Sequence, residues 1–284
     1  IDPAETMDWK QFVKSMLTIN MLWLVYAFFL LLFQDRLPLN PDGNAAQTPD
    51  LAINTAISFL VNCDLQHYSG ETGLTYFTQL FVITFLMFVS AATGIACVIG
   101  ALNAFREKTT TNVGNFWSIF LKANTRILLP ISFAAAVILS FNGTPASYEG
   151  KATYTSLQGD TVQLSRGPAA GMIAIKHLGT NGGGWFGVNA AHPFENPGYF
   201  TNMFEMILQV LIPMAIVFAV GFYIRQKKFS YIVFIVMTIG TMCLLVPAIL
   251  SEVSGNPAIE RLGISQSSGA MEGKEVRFGP AASA

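Results

Sequence analysis

Two stretches of this sequence could do chemistry with backbone atoms rather than with side chains. In LGTNGGGWF, Gly179, Thr180 and Asn181 lead into Gly182, Gly183 and Gly184. Glycine lacks a Cβ, so the chain can turn freely there and its carbonyls can approach a ligand closely. Carbonyl oxygens that replace a hydration shell are the chemistry of cation filters. The second stretch, VNCD, places Asn62, Cys63 and Asp64 where they could serve as its counterpart. A glycine-rich surface turn is the alternative reading of the first stretch.

Other chemistries find little support. GTNGGGWF lacks the Lys-Ser/Thr ending of a phosphate-binding loop and follows no evident strand. His67, His177 and His192 form no metal-ligand spacing, and Cys63, Cys97 and Cys243 lie far apart. A formal net charge of −1 gives no reason to expect a nucleic-acid partner.

The elements that must position these stretches are membrane spans. Of the 284 residues, 52% are hydrophobic and 12% charged, against about 25% charged in soluble proteins. Five runs are long enough to cross about 30 Å of hydrocarbon: residues 13–33, 76–102, 114–142, 199–224 and 230–251. Short loops between them carry Arg106 and Lys108, then Arg225, Lys227 and Lys228, whereas the long loops 34–75 and 143–198 are acidic or mixed. The distribution of cations predicts that the N-terminus and the short loops are cytoplasmic.

Each long loop holds an apolar run too short to span, residues 50–62 and 168–179. Asp50 is the expected N-cap of the first. Pro168 at the first turn and Gly179 at the end are the expected bounds of the second. Both are predicted to be re-entrant helices, because irregular backbone reaches membrane depth only where protein or water shields it. The pattern then repeats: YFTQLF from Tyr76 and YFTNMF from Tyr199 stand 123 residues apart, with Asn62 and Asn181 matched at 119. The predicted class is an all-α polytopic membrane protein built from repeated units of span, pore helix, filter and span.

Its divisions are a cytoplasmic segment 1–12, a first unit 13–102 with re-entrant helix and filter at 50–65, and a loop 103–113. A second unit, 114–224, has its helix and filter at 168–184, and 225–284 begins a third, truncated unit. Lys176, near a helix end, reads as a cation stabilising that helix C-terminus, with a salt bridge to Glu71 or Glu195 that braces the glycine stretch as the alternative. Glu205 is expected at the outer vestibule or paired with Lys176. Lys122 and Arg126 read as snorkelling cations, and Pro130 and Pro213 as kinks.

LGTNGGGWFGVNAAHPFENP, NTAISFLVNCDLQHYSGETGLTYF and MEGKEVRFG resemble the potassium-translocating A subunits of Kdp ATPases, the KdpA family. The resemblance runs from the first span to Gly279. It implies a four-fold arrangement of pore-loop units related to potassium channels, in a protein about twice this long, so this chain reads as an internal fragment of the N-terminal half. It implies that potassium, the one metal ion involved, is taken up through the filter of a bacterial inner-membrane complex. A KdpB-like P-type subunit would carry ATP and Mg, with KdpC-like and KdpF-like subunits completing the assembly. This subunit would bind no cofactor and catalyse no reaction itself. The family's first filter reads close to TNTNW, whereas Val61, Asn62, Cys63, Asp64 and Leu65 stand here; Asp64 is expected at a solvated mouth, with a place beside the cation path, where it would bind the ion more tightly, as the alternative. An independent pore-loop channel, a secondary transporter and a nonconducting assembly fragment remain as alternatives.

Overall fold

A computed structural model describes residues 5–106, 111–156, 159–188, 190–263 and 278. Lys108, Asn189 and the MEGKEVRFG motif apart from Phe278 lie outside the described residues. Five helices are long and apolar enough to cross a membrane: Trp9–Leu32, Tyr76–Arg106, Phe116–Phe141, Tyr199–Tyr223 and Lys227–Ser251. They are called the first to fifth spans below, and each lies close to its expected bounds. The second is half buried and forms the centre of the structure, whereas the fifth buries none of its apolar window.

Local sequence explains the ends and irregularities of these helices. Asp8 caps the first span by accepting the Gln11 amide at 2.7 Å, and Gln11 returns a bond to the Asp8 amide. In the third span, Pro130 has no N–H to give the preceding turn; the wider π-helical segment Asn124–Leu128 lies there. The second and fourth spans start alike. Thr78 Oγ1 accepts the Thr75 amide at 3.1 Å, and Thr201 Oγ1 accepts the Gly198 amide at 2.9 Å. The repeated Tyr-Phe-Thr is therefore a repeated helix start.

Two short helices, Pro49–Leu60 and Ala170–Leu178, occupy the long loops. The first packs on the first and second spans, the second on the third and fourth. Two expected caps are corrected. Thr48 is the N-cap of the first short helix, so Asp50 sits inside its first turn. Pro168 precedes the second helix, whose N-cap is Ala169; the amides of Ala169 and Ala170 both donate to the Pro145 carbonyl at 3.1 Å.

An antiparallel hairpin, Lys151–Thr155 with Thr161–Ser165, adds strand structure that the all-α expectation lacked. Its residues are rich in Thr, Val and Tyr, which suit a pleated surface. Asp42 ties it to the first long loop, accepting from the Lys151 amide at 2.7 Å. At the opposite end of the spans, Met7–Asp8 pairs with Asn112–Gly114, joining the N-terminal segment to the loop after the second span.

Candidate functional site

Both short helices end in the same way. At the first, Val61 closes the helix, Asn62 turns to φ 61°, and the Cys63 amide donates back to the Ser58 carbonyl at 3.0 Å. At the second, Gly179 closes the helix, Thr180 turns to φ 57°, and the Asn181 amide donates to the Lys176 carbonyl at 2.8 Å. Each is a Schellman ending, with a left-handed residue and a bond that reaches back five positions. Backbone geometry therefore matches Asn62 with Thr180, and the expected pairing of Asn62 with Asn181 is one residue out. Asn adopts a positive φ readily; Thr is β-branched, so Thr180 stores backbone strain.

The two segments that follow these turns lie side by side. Asp64 Oδ2 accepts the Gly182 amide at 2.9 Å. Gln66 binds both polar groups of Gly184, accepting its amide at 3.0 Å and donating to its carbonyl at 3.1 Å. Asn62 Nδ2 donates to the carbonyls of Gly179 and Thr180, each at 3.3 Å. Ser90 of the second span supports both segments, donating to Asn62 Oδ1 at 2.9 Å and Asn181 Oδ1 at 3.4 Å. Asn62, Cys63, Asp64 and Gly179 to Gly184 thus lie in one cluster.

The expected solvated position of Asp64 is corrected. Its side chain is packed away, leaving the residue 1% exposed. Burial pushes its carboxyl up to about 7, while the Gly182 amide and the Lys176 charge oppose that rise. The amide lies 118 residues away in sequence, which is why a local reading treated Asp64 as hydrated.

Gly183 is held tightly. A Cβ built there would lie 2.6 Å from Phe59 Cζ and 2.9 Å from the Asp64 carbonyl oxygen. At Gly182 the nearest atom would be the Cys63 carbonyl oxygen at 3.6 Å, so that position has room. Among the described residues, the carbonyls of Asn62, Cys63, Asn181 and Gly182 receive no hydrogen bond. Buried carbonyls are ordinarily paired; Asn181 is only 6% exposed, whereas Cys63 and Gly182 are exposed. The C-terminal ends of the two short helices, with their partial negative charge, lead directly into these carbonyls. Below them a cavity of about 510 Å³ is lined by Asn62, Thr180, Ser90, Gly94 and Pro213.

The charged residues behind the second segment are paired. Lys176 Nζ lies 2.6 Å from Glu195 Oε1 and 3.2 Å from the Gly187 carbonyl, so Glu195 is its partner rather than Glu71. Glu205 Oε2 stands 3.3 Å from His177 Nε2, which replaces the expected pairing of Glu205 with Lys176. Glu71 sits apart, accepting from Ser69 Oγ at 3.3 Å. Burial pushes its carboxyl up; Asp42 adds to that rise, and Ser69 and Lys151 oppose it. Gln66 and Ser90 were missed from the sequence, where an isolated Gln in a loop and a Ser in a span carry no special signal.

The family model for the potassium-transporting ATPase A subunit matches residues 1–284. The chain is 60% identical over 281 residues to the potassium-transporting ATPase potassium-binding subunit of Flavobacterium psychrophilum, covering 99% of this chain and 49% of that protein. The subunit of the same name from Flavobacterium johnsoniae is 58% identical over 283 residues, 100% of this chain and 49% of that one. That of Caldanaerobacter subterraneus is 43% identical over 280 residues, 98% of this chain and 50% of the relative. The chain spans about half the length of the curated relatives it matches.

Proposed function

The chain belongs to the potassium-transporting ATPase A subunit family, and we propose that it supplies potassium-binding backbone to an ATP-driven uptake complex. The observation that carries this reading is the set of unpaired carbonyls at Asn62, Cys63, Asn181 and Gly182, placed just beyond two helix C-termini. Potassium is the substrate. Carbonyl dipoles and the negative helix ends favour a cation, and neither brings a full charge that would hold the ion too tightly for release.

In this reading the two segments are two quadrants of a filter. Residues 13–102 and 114–224 are two pore-loop units, and 225–284 opens a third. Gly183 and Gly184 are anchors rather than free ligands: Gly183 is packed against Phe59, and Gly184 is tied at both polar groups by Gln66. Lys176–Glu195 and His177–Glu205 brace the second segment from behind. An ion that leaves the carbonyls reaches the cavity below them.

ATP and Mg belong to a KdpB-like P-type subunit, with KdpC-like and KdpF-like partners, in the bacterial inner membrane. The N-terminal segment faces the cytoplasm, as its pairing with the basic loop after the second span supports. The test is Gly182→Asp in the intact complex, where the new Cβ meets no atom closer than 3.6 Å and the carboxylate adds a charge beside the carbonyls. Changed potassium affinity or ion preference is expected; uptake with unaltered affinity and preference would remove this segment from the ion path.

A further inference from the structure

The second span begins with a feature that the fourth does not share, although both open on Tyr-Phe-Thr. From Gln79 to Thr84 the second span is π-helical, whereas Tyr199–Tyr223 is α-helical. Inside this wider turn the Thr84 hydroxyl donates to the Gln79 carbonyl at 2.8 Å. Such turns are rare in helices and frequent at functional sites. The start of the span is itself fixed. Gln34, just after the first span, accepts the Thr75 amide at 3.2 Å and the Thr78 hydroxyl at 2.8 Å.

Gln79 is 1% exposed, and its Nε2 donates to the Trp185 carbonyl at 3.2 Å, across 106 residues. A carbonyl oxygen can only accept, so the amide nitrogen must face Trp185. The matched residue of the fourth span, Asn202, instead accepts from Asn196 Nδ2 at 2.9 Å, six residues before it. One of the two repeated positions therefore reaches the chain just after the other unit's glycines, and the other binds its own preceding loop. Gly70 lies against the same bond. A Cβ built there would collide with the Trp185 carbonyl oxygen and sit 2.8 Å from both Gln79 Nε2 and the Gly184 carbonyl oxygen. The Trp185 ring is held separately, edge-on to Tyr76 with centroids 5.3 Å apart, and against Gly167, where a Cβ would collide with it.

The run Gly182–Gly184 is thus anchored at both ends. The turn at Thr180 and the bond from Asp64 hold its start. Gln66 on Gly184 and Gln79 on Trp185 hold its far end. Glycines carry no side chains that could fix their own course, so the anchors set where the Asn181 and Gly182 carbonyls point. We propose that Gln79 is a positioning residue for ion discrimination, which fastens the far end of the glycine run to the second span through the Trp185 carbonyl. The inference rests on the proposed function, because it acts through the ion-facing backbone. Gln79 touches no ion.

The test uses the full-length protein in its transport complex, with Gln79→Asn and Gln79→Met. Asn keeps the amide but is one methylene too short to reach Trp185; Met keeps the length without the donor. Each is expected to raise the KM for potassium about fivefold, the worth of one hydrogen bond. Preference for potassium over rubidium should weaken, with little change in kcat or in melting temperature, because the packing of the Trp185 ring is untouched. Gly70→Ala presses on the same carbonyl and should also raise KM. Combined with Gln79→Met, it should raise KM no further than the larger single change. Unchanged KM and ion preference in either Gln79 variant would overturn the proposal. So would a lower melting temperature with both transport readouts unchanged, which is what a merely structural bond gives. Independent, multiplying effects of Gly70→Ala and Gln79→Met would overturn it too. If one Gln79 variant fails to insert, the other is read by the same criteria. Gly182→Asp separates the two levels. If it alters ion preference and the Gln79 variants do not, only the positioning role fails; if neither does, the ion path fails as well.

Discussion

Asp64 and Gly182 are joined by a hydrogen bond of 2.9 Å across 118 residues of sequence. It fastens the backbone after one short helix to the backbone after the other. Asp64→Ala leaves the Gly182 amide without its acceptor and should cost about 1–3 kcal/mol. Asp64→Asn keeps an oxygen that can accept and should cost less. Thermal unfolding of the membrane-extracted protein measures both; equal stability of Asp64→Ala and the parent would show that the bond does not join the segments.

The adjacent glycines should respond differently to the same methyl group. Gly183→Ala drives a Cβ against Phe59 and the Asp64 carbonyl, whereas Gly182→Ala meets no atom closer than 3.6 Å. Overpacking of this kind costs roughly 1–3 kcal/mol. Gly183→Ala is therefore expected to lower the melting temperature and Gly182→Ala to leave it nearly unchanged. The reverse order would contradict the packing of this segment.

Lys176 and Glu195 form a pair whose side chains are 3% and 0% exposed. Removing one member leaves the other charge buried, at a cost of about 3–5 kcal/mol. Lys176→Met and Glu195→Gln should each be strongly destabilising. The double variant should recover part of the loss, because no uncompensated charge remains. Additive losses in a double-mutant cycle would rule out a direct coupling.

Much of this arrangement was legible in the sequence. Apolar length gave the five spans, and apolar runs too short to cross gave the two short helices. Lys176 reads from the sequence first as a cation at a helix end, with a salt bridge to Glu71 or Glu195 only as the alternative. Choosing Glu195 over Glu71 required the third dimension, because both lie in loops whose paths the sequence does not reveal. The two segments were matched one residue out of step because Asn62 and Asn181 share a side chain, whereas the shared backbone turn belongs to Asn62 and Thr180. Asp64 was expected in water because its burial depends on an amide far away in the chain. The hairpin at Lys151–Thr155 was missed because hydropathy marks spans, and its strands are neither long nor apolar.

Thr180 carries a φ of 57° on a β-branched residue. A left-handed conformation costs such a residue roughly 1–2 kcal/mol. Thr180→Asn, which places the amino acid tolerated at Asn62 into the matching turn, should raise stability by about 1 kcal/mol. Ion discrimination in the intact complex should fall with it, because the turn at Thr180 sets the position of the Asn181 and Gly182 carbonyls that follow. A lower melting temperature would mean that the Thr side chain supports the turn more than its backbone strains it.

The proposed filter requires that carbonyls of this chain touch the transported ion. The direct measurement is an anomalous difference map of the full-length protein crystallised with rubidium or thallium in place of potassium. A peak is expected within coordination distance of carbonyl oxygens from both segments, Asn62–Cys63 and Asn181–Gly182. A well-occupied ion elsewhere along the transport path, with no peak at these oxygens, would contradict it.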